Sequence, residues 1–378
     1  MPGIYIHIPF CRQACRYCDF YFTVSLSFLD DFVVALQKEI YERQEYIGKP
    51  EIETVYFGGG TPSVLKEGQL FTLMETIHSV YHVSENAEIT FEANPDDLTP
   101  EYLKMLKKAG FNRLSIGIQS FRETDLQLMR RSHNAEQARA CLSYAAKEGF
   151  TNVNMDLIYG IPGLSIHDWE TNVKEAASLP VTHISAYHLT YESGTVFDHW
   201  RKKGRLKEIS EDDSVEQYML LRRILAAERF NHYEISNFAR EGFRSRHNSM
   251  YWKGEPYAGF GPSAHSFNGT TRQWNIPSVK RYMEALREGT AYSETEVLSP
   301  RDRYHDYLIT SLRTAEGICM KEAEKTFGQE IFHHLASTST NFISSGEMIK
   351  EGTQLRISPE GWLRADMIIS RLMLPDQE

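Results

Sequence analysis

The stretch YIHIPFCRQACRYCDF, residues 5–20, joins a short apolar run to three cysteines in the spacing C-x3-C-x2-C. Cysteine thiolates are the usual protein ligands of iron–sulfur clusters. If Cys11, Cys15 and Cys18 hold a [4Fe–4S] cluster, one iron atom has no protein ligand and is free to bind a reacting molecule. The stretch therefore predicts an open-iron cluster directly after the first strand.

Four other uses of these cysteines fit the sequence less well. A structural zinc site takes four ligands, usually in C-x2-C or Cys/His pairs. A redox pair needs C-x-x-C beside a thioredoxin-like βαβ unit, whereas only one strand precedes Cys15 and Cys18. Five cysteines in 378 residues are too few, and odd in number, for a disulfide framework. Unrelated core cysteines would not cluster so tightly, although we interpret the isolated Cys141 and Cys319 as core residues.

Composition narrows the class of protein. A chain of 378 residues is long enough for two domains, or for one barrel with an appendage. The net charge of −10 argues against a dedicated nucleic-acid binder, which would show a basic surface. No apolar run reaches the roughly 18 residues of a membrane span, and MPGIYIHIPF lacks the pattern of a secretory signal. We expect a cytoplasmic protein, because a thiolate cluster needs reduced cysteines.

Strands and helices alternate through the first 230 residues. Ser27 with Asp30 resembles a capping box before a helix, Thr99 with Pro100 begins another, and Ser210 with Asp213 opens the sixth. The predicted strands are Ile4–Ile8, Thr54–Phe57, Glu88–Glu92, Arg113–Ile118, Val153–Tyr159 and Ile184–Leu189. Six βα repeats predict a parallel sheet covered by helices, with the reactive groups at the carboxyl ends of the strands. Periodicity does not distinguish an open sheet from a partial barrel.

The rest of the chain differs from this pattern. Residues 236–298 are aromatic, rich in glycine and poor in periodicity, so we expect an irregular wrapping segment after a first domain at 1–235. A strong helix start at Ser299 opens a third unit, 299–378, with the order helix, helix, helix, hairpin, helix of a winged-helix-like domain. Its third helix, Gln329–Ser344, has no Lys or Arg for phosphate contacts. A structural or partner-docking role is therefore expected.

Polar residues follow the predicted strands. Gly58-Gly59-Gly60-Thr61 comes after the second strand, and a tight turn would explain it equally well. Glu92 and Gln119 end the third and fourth strands, and Asp156 lies in the fifth. Each alone could be a satisfied structural group, but three at successive strand ends favour one ligand pocket.

The segment RHNSMYW, residues 246–252, contains a histidine among aromatic residues. A single histidine is more often a surface or core residue than a ligand. Haem iron commonly takes an axial histidine, and Tyr251 and Trp252 could contact a flat macrocycle. His247 is therefore a candidate haem ligand.

Together these motifs resemble the radical S-adenosylmethionine (SAM) superfamily, specifically its coproporphyrinogen-oxidase-like branch. The resemblance rests on YIHIPFC, GGGTPS, EANP, GIQSF and DLIYGIPG, and it continues to SPEGWLRAD near the C-terminus. It implies a partial (β/α)6 radical SAM barrel with a C-terminal winged-helix-like α+β domain. It also implies that the free iron binds the amino and carboxylate groups of SAM, and that the reduced cluster cleaves SAM to methionine and a 5′-deoxyadenosyl radical.

The resemblance also implies which residues contact SAM. Tyr5 and Tyr17 would lie beside the cluster and cofactor, and Gly59, Gly60 and Thr61 would meet the methionine end. The remainder of SAM would be contacted by Glu92, Gln119, Arg131 and Asp156. No residue is assigned a catalytic role.

Three features indicate the position of the chain within the branch. Coproporphyrinogen dehydrogenases have a further cysteine where this chain has Phe20, and an extension before the first strand that is expected to be absent here. HNSMYW resembles the H-N-x-x-Y-W signature of haem chaperones built on the same barrel. The resemblance thus implies a chaperone that binds haem, a [4Fe–4S] cluster and SAM, and delivers haem to acceptor proteins.

Two other functions stay open: oxygen-independent decarboxylation of coproporphyrinogen III, and radical SAM chemistry on an unrelated substrate. The sequence identifies neither the haem acceptor nor the electron donor. Peripheral contact with a membrane stays open, and no nucleic acid is expected as a partner.

Overall fold

The centre of the fold is a run of six parallel strands that lie in the sheet in chain order. The structure is a computed structural model, and it describes residues 1–375. The six strands are β1 (Gly3–Ile8), β2 (Ile52–Gly59), β3 (Val83–Ala93), β4 (Arg113–Gln119), β5 (Asn152–Tyr159) and β6 (His183–His188). All six predicted strands are present, and so is the predicted βα alternation.

Eight helices follow these strands along the chain. They are α1 (Leu29–Glu42), α2 (Glu67–Val80), α3 (Pro100–Lys108), α4 (Glu123–Met129), α5 (Ala135–Lys147), α6 (Ile166–Ser178), α7 (Val196–Lys202) and α8 (Glu211–Ala227). The Thr99 and Ser210 side chains cap α3 and α8 as predicted. The capping box at Ser27 was wrong, because a 3-10 turn precedes α1 and the Ser27 hydroxyl bonds that of Ser25.

The two faces of the parallel strands differ in chemistry, because successive side chains point to opposite sides of a strand. On β2, Val55 and Phe57 belong to the large apolar core under the helices. The alternate residues Thr54 and Tyr56 bond to polar groups of other elements. The barrel interior therefore carries the polar side chains from which a site can be built.

The sheet continues beyond the six strands on both sides. Beyond β6 lie β8 (Asn237–Ala239) and β7 (Asn231–Glu234), and β9 (Tyr257–Phe260) pairs in parallel with β1. Next to β9 come β10 (His265–Phe267), β11 (Thr271–Asn275) and β12 (Ser293–Val297). Within residues 1–375, β7 and β12 are the edges, so the barrel is partial, as the resemblance implied.

The expectation that residues 236–298 are irregular was wrong. Besides its five strands, this segment contains α9 (Arg246–Trp252) and α10 (Val279–Glu288). Its strands have three to five residues, which is too short for a clear alternation of apolar and polar side chains. Two of them, β8 and β9, pair with the distant strands β6 and β1.

The C-terminal part has its own apolar core, which includes Leu308, Leu335, Leu355 and Ile368. Its elements are α11 (Pro300–Ser311), β13 (Ile318–Cys319), α12 (Met320–Ser344), β14 (Met348–Glu351), β15 (Gln354–Ile357) and α13 (Ala365–Leu372). α12 is two helices that meet at Gly328, whose φ is 83°. The β14–β15 hairpin and the helix order agree with the winged-helix-like prediction. Among residues 1–375, no helix has both the length and the apolar character needed to cross a membrane.

Candidate functional site

A cavity of about 390 Å³ opens at the carboxyl ends of the parallel strands. Its volume lies in the range of small-molecule sites. Of the residues predicted from sequence, those that line it are Cys11, Cys15, Cys18, Tyr17, Gly59, Gly60, Thr61, Glu92, Gln119, Arg131 and Asp156. The structure therefore brings together residues that are spread over the first half of the chain.

The three cysteines lie in the loop after β1, and their thiols are free and partly exposed. The Thr61 hydroxyl lies 3.4 Å from Cys11 Sγ, and a nitrogen of Arg131 lies 3.3 Å from Cys15 Sγ. Burial raises the pKa of Cys11, and burial with the neighbouring thiols raises the pKa of Cys18 to about 11. Iron has to displace protons from these two thiols before it can bind.

The glycine loop after β2 depends on the absence of side chains. Gly59 has φ 109°, and a Cβ there would lie 2.7 Å from the His7 ring. A Cβ on Gly60 would lie 2.8 Å from the Phe10 carbonyl oxygen. The loop thus packs against the backbone that leads into the cysteine loop, and its polar backbone groups border the cavity.

Glu92 is fixed at the cavity wall by two hydrogen bonds. The Tyr56 hydroxyl donates to Oε1 at 2.6 Å, and the Gly59 amide donates to Oε2 at 3.1 Å. Burial, together with the nearby Asp156 carboxylate, raises the pKa of Glu92 to about 7. Its charge therefore changes near neutral pH.

Asp156 and Gln119 occupy neighbouring strands on the same cavity wall. The Asn154 amide donates to Asp156 Oδ1 at 2.8 Å, and burial raises the pKa of Asp156. Gln119 has φ 68°, at a point where the register between β4 and β5 is irregular. This left-handed backbone is uncommon for a residue other than glycine and often marks a functional site.

Arg131 reaches the cavity from the segment after α4. One terminal nitrogen donates to Asn94 Oδ1 at 2.6 Å and to the Gly117 carbonyl at 2.9 Å. The other contacts Cys15 Sγ and, at 3.4 Å, the Tyr17 hydroxyl. Arg131 thus places a positive charge between the cysteine loop and the ends of β3 and β4.

Tyr5 and His247 are not among the residues that line the cavity. The Tyr5 hydroxyl lies 3.0 Å from His7 Nδ1, and its ring faces those of Tyr56 and His247. The Tyr5 side chain therefore packs beside Tyr56 and His247, and its position beside the cluster and SAM stays a prediction.

The assignment of His247 as an axial haem ligand likewise stays a prediction. His247 is 1% exposed, and both of its ring nitrogens have partners: Nδ1 lies 2.8 Å from Thr54 Oγ1, and Nε2 lies 2.8 Å from the Tyr251 hydroxyl. Binding of iron would require the ring to give up one of these hydrogen bonds. The sequence pattern could not show that this histidine is buried.

Several cavity residues were not predicted from the sequence, including Asn94, Asn154, Tyr187 and His188. Asn154 could have been found, because it lies two residues before Asp156 and so shares its face of the strand. Asn94 belongs to the same EANP motif as Glu92. Tyr187 and His188 have no such signal beyond their place at the end of β6.

The described residues suit a cluster and a polar cofactor side by side. Among residues 1–375, no three His, Cys, Asp or Glu side chains lie close enough together to hold a single metal ion. A [4Fe–4S] cluster has a different requirement, since each thiolate binds a different iron atom. The three free thiols border one cavity, and Glu92, Gln119 and Asp156 lie on its wall.

Comparison with known proteins identifies the family. Residues 5–176 match the Radical SAM superfamily, and residues 298–364 match the HemN C-terminal domain. A Bacillus subtilis (strain 168) protein named "Heme chaperone HemW" is 34% identical over 377 residues, covering 99% of this chain and 99% of the relative. The chain belongs to the HemW family. A HemW protein of Mycobacterium tuberculosis is 33% identical, covering 98% of this chain and 94% of its own.

Two further proteins extend the comparison. A Danio rerio protein named "Radical S-adenosyl methionine domain-containing protein 1, mitochondrial" is 30% identical and covers 98% of this chain. Among solved structures, coproporphyrinogen III oxidase (HemN) from Escherichia coli has a TM-score of 0.86, with 23% identity, and covers 98% of this chain. HemN and the HemW-family chain thus share a fold. Membership of the radical SAM superfamily implies a [4Fe–4S] cluster and SAM.

Replacing Glu92 with Gln tests whether the cavity wall formed by Glu92, Gln119 and Asp156 binds SAM. We expect the affinity of the wild-type protein for SAM to rise between pH 6 and pH 8, because the Glu92 carboxylate forms as pH passes its pKa of about 7. Glu92→Gln should bind SAM about tenfold more weakly at pH 8 and lose this pH dependence. Equilibrium dialysis with the cluster-loaded protein measures both effects.

Asp156→Ala should also weaken SAM binding, by roughly tenfold, since a polar ligand loses a hydrogen-bond partner. Glu85→Gln is the matched control, because Glu85 is an exposed carboxylate on the same strand as Glu92. Cluster content should be unchanged in all three variants. Unaltered SAM affinity in both Glu92→Gln and Asp156→Ala would make these residues structural.

Proposed function

We propose that this protein is a haem chaperone, which binds haem and passes it to acceptor apo-proteins. The observation that carries the proposal is similarity along the full chain to proteins named heme chaperone HemW, with 98–99% of this chain and 94–99% of the relatives covered. A shared radical SAM barrel alone would not support it, because HemN has the same fold and is a coproporphyrinogen III oxidase.

The mouth of the cavity supports the same function. Phe20 lines the cavity and is 66% exposed, at the position where the resemblance places a further cysteine in the dehydrogenases. An exposed phenyl ring in the cysteine loop offers apolar contact to a flat ligand. A thiol at this position would instead offer a metal ligand.

Cys11, Cys15 and Cys18 would hold the cluster, and the wall formed by Glu92, Gln119 and Asp156 would bind SAM. When bound, the cluster would supply single electrons for the reduction of SAM. The protein residues shield this site: the cysteine loop covers one side of the cavity, and Arg131 links that loop to β3 and β4.

The deciding experiment gives the cluster-loaded protein both haem and coproporphyrinogen III. We expect haemin titration to produce a Soret band that saturates at one haem per chain, and we expect the bound haem to transfer to an apo-cytochrome. Under reducing conditions with SAM, no protoporphyrinogen IX should form. HemN from Escherichia coli is the positive control for the second assay.

Decarboxylation of coproporphyrinogen III is the second candidate, because the shared fold with HemN favours it. Protoporphyrinogen IX formed in proportion to SAM consumed would establish this reaction and contradict the chaperone proposal. Absence of both haem binding and porphyrinogen turnover would leave radical SAM chemistry on an unrelated substrate.

A further inference from the structure

The segment HNSMYW forms α9, and α9 is held in the barrel by a buried carboxylate. The amides of Arg246 and His247 donate to the Glu88 carboxylate at 3.1 and 3.0 Å. Glu88 lies 3.8 Å from Arg113 Nε, and both side chains are almost fully buried. An acidic group at a helix N-terminus is favourable, so the start of α9 is fixed against β3 and β4.

His247 and Tyr251 are one helical turn apart, which brings their side chains together on one face of α9. The His247 ring lies between the Tyr251 hydroxyl and Thr54 Oγ1, so the H-x-x-x-Y spacing builds a fixed pair. Burial and the Arg113 guanidinium lower the pKa of His247 to about 3, so the ring is neutral. A neutral imidazole has one donor and one acceptor, and both are used here.

The flat face of His247 lies against Tyr56. The two ring centroids are 4.9 Å apart, with an angle of 27° between the planes. The Tyr56 hydroxyl in turn donates the 2.6 Å hydrogen bond to Glu92. A continuous series of contacts thus leads from α9 through Tyr56 to the carboxylate on the cavity wall.

We propose that His247 is a positioning residue of the SAM site, which holds the Tyr56 ring so that its hydroxyl fixes Glu92. This inference rests on the proposal that Glu92 contacts SAM. HNSMYW then forms the floor of the SAM cavity, which Asn248 of this segment lines directly. On this inference, we expect haem binding to be independent of His247.

The test is a double-mutant cycle in SAM binding, with cluster-loaded protein throughout. Tyr56→Phe removes the hydroxyl that reaches Glu92 and keeps the ring. We expect Tyr56→Phe and His247→Ala each to weaken SAM binding about tenfold. In the Tyr56→Phe background, His247→Ala should add less than about a further twofold, because no hydroxyl remains to be positioned.

Controls separate positioning from a general loss of structure. His82→Ala alters a histidine whose side chain is 79% exposed, and it should leave SAM affinity unchanged. His247→Gln, which is closer to histidine in size, replaces His247→Ala if the thermal midpoint of the alanine variant falls. Haemin stoichiometry should remain at the wild-type value in every variant.

The outcomes are distinct. If the loss of SAM affinity in the double variant equals the product of the losses in Tyr56→Phe and His247→Ala, the two residues act independently. That result would show a structural role for His247 and overturn the inference. Loss of haem binding in His247→Ala with SAM affinity unchanged would also overturn it, and would restore His247 as a haem ligand. If Glu92→Gln itself leaves SAM affinity unchanged, the underlying SAM site fails, whatever the His247 variants show.

Discussion

Cys15→Ala should prevent assembly of the [4Fe–4S] cluster, and so should Cys11→Ala and Cys18→Ala. Each thiolate is expected to bind a different iron atom, so losing one leaves two irons without protein ligands. Iron and sulfide content and the charge-transfer absorption after anaerobic reconstitution measure the effect. We expect close to one cluster per chain in the wild type and almost none in each variant.

The other two cysteines provide matched controls. Cys141 is buried in α5, where its thiol donates to the Ala138 carbonyl, and Cys319 immediately precedes α12. Cys141→Ala and Cys319→Ala should therefore keep a full cluster. Since burial raises the pKa of the Cys11 and Cys18 thiols, iron affinity should also increase with pH, because a larger fraction of each thiol is then deprotonated. A stable, complete cluster in Cys15→Ala would refute the assignment.

The elements that the sequence predicts well are those fixed by local interactions. The strands β1 to β6 are apolar runs with polar residues after them, and the Thr99 and Ser210 caps involve residues three positions apart. Within the first 235 residues, the two helices that the sequence did not reveal, α4 and α7, have seven residues each. Two turns are too short for an apolar stripe to stand out.

Long-range pairing explains most of the errors. β9 pairs with β1 although some 250 residues separate them, and α9 is fixed by Glu88, which is 159 residues from His247. The pattern HNSMYW shows which side chains are present but does not show which of them are buried. The cavity residues were more predictable, because parallel strands place their carboxyl ends at the same edge of the sheet.

Glu39→Ala should be among the most destabilising single changes in the protein. Glu39 is fully buried in α1 and accepts hydrogen bonds from the Gly261 amide at 2.8 Å, the Asn275 amide at 2.6 Å and the Tyr282 hydroxyl at 2.5 Å. It also forms a 2.8 Å ion pair with Arg43. Because its partners lie in the segment before β10, in β11 and in α10, this carboxylate fixes the strands beyond β1 to α1.

Removing the carboxylate takes the acceptor away from the buried Gly261 amide and Tyr282 hydroxyl, and the counter-charge away from Arg43. Breaking one side of a buried ion pair typically costs about 3–5 kcal/mol. Arg43 would keep its bonds to the Gly259 carbonyl, Ser266 and Gln273, but it would have lost its counter-charge. The urea dependence of unfolding, followed by circular dichroism, measures the loss of stability.

Glu42→Ala is the control for this change, because Glu42 lies on the same helix and pairs with Lys38 at the surface, where both side chains are 44% exposed. Exposed pairs of this kind contribute about 0.3–0.5 kcal/mol. The double variant Glu39→Leu with Arg43→Leu should lose less stability than the sum of the losses in the two single leucine variants. In the double variant no buried charge is left without its partner. Equal midpoints for Glu39→Ala and Glu42→Ala would show that the buried carboxylate does not hold the β9–β11 strands to α1.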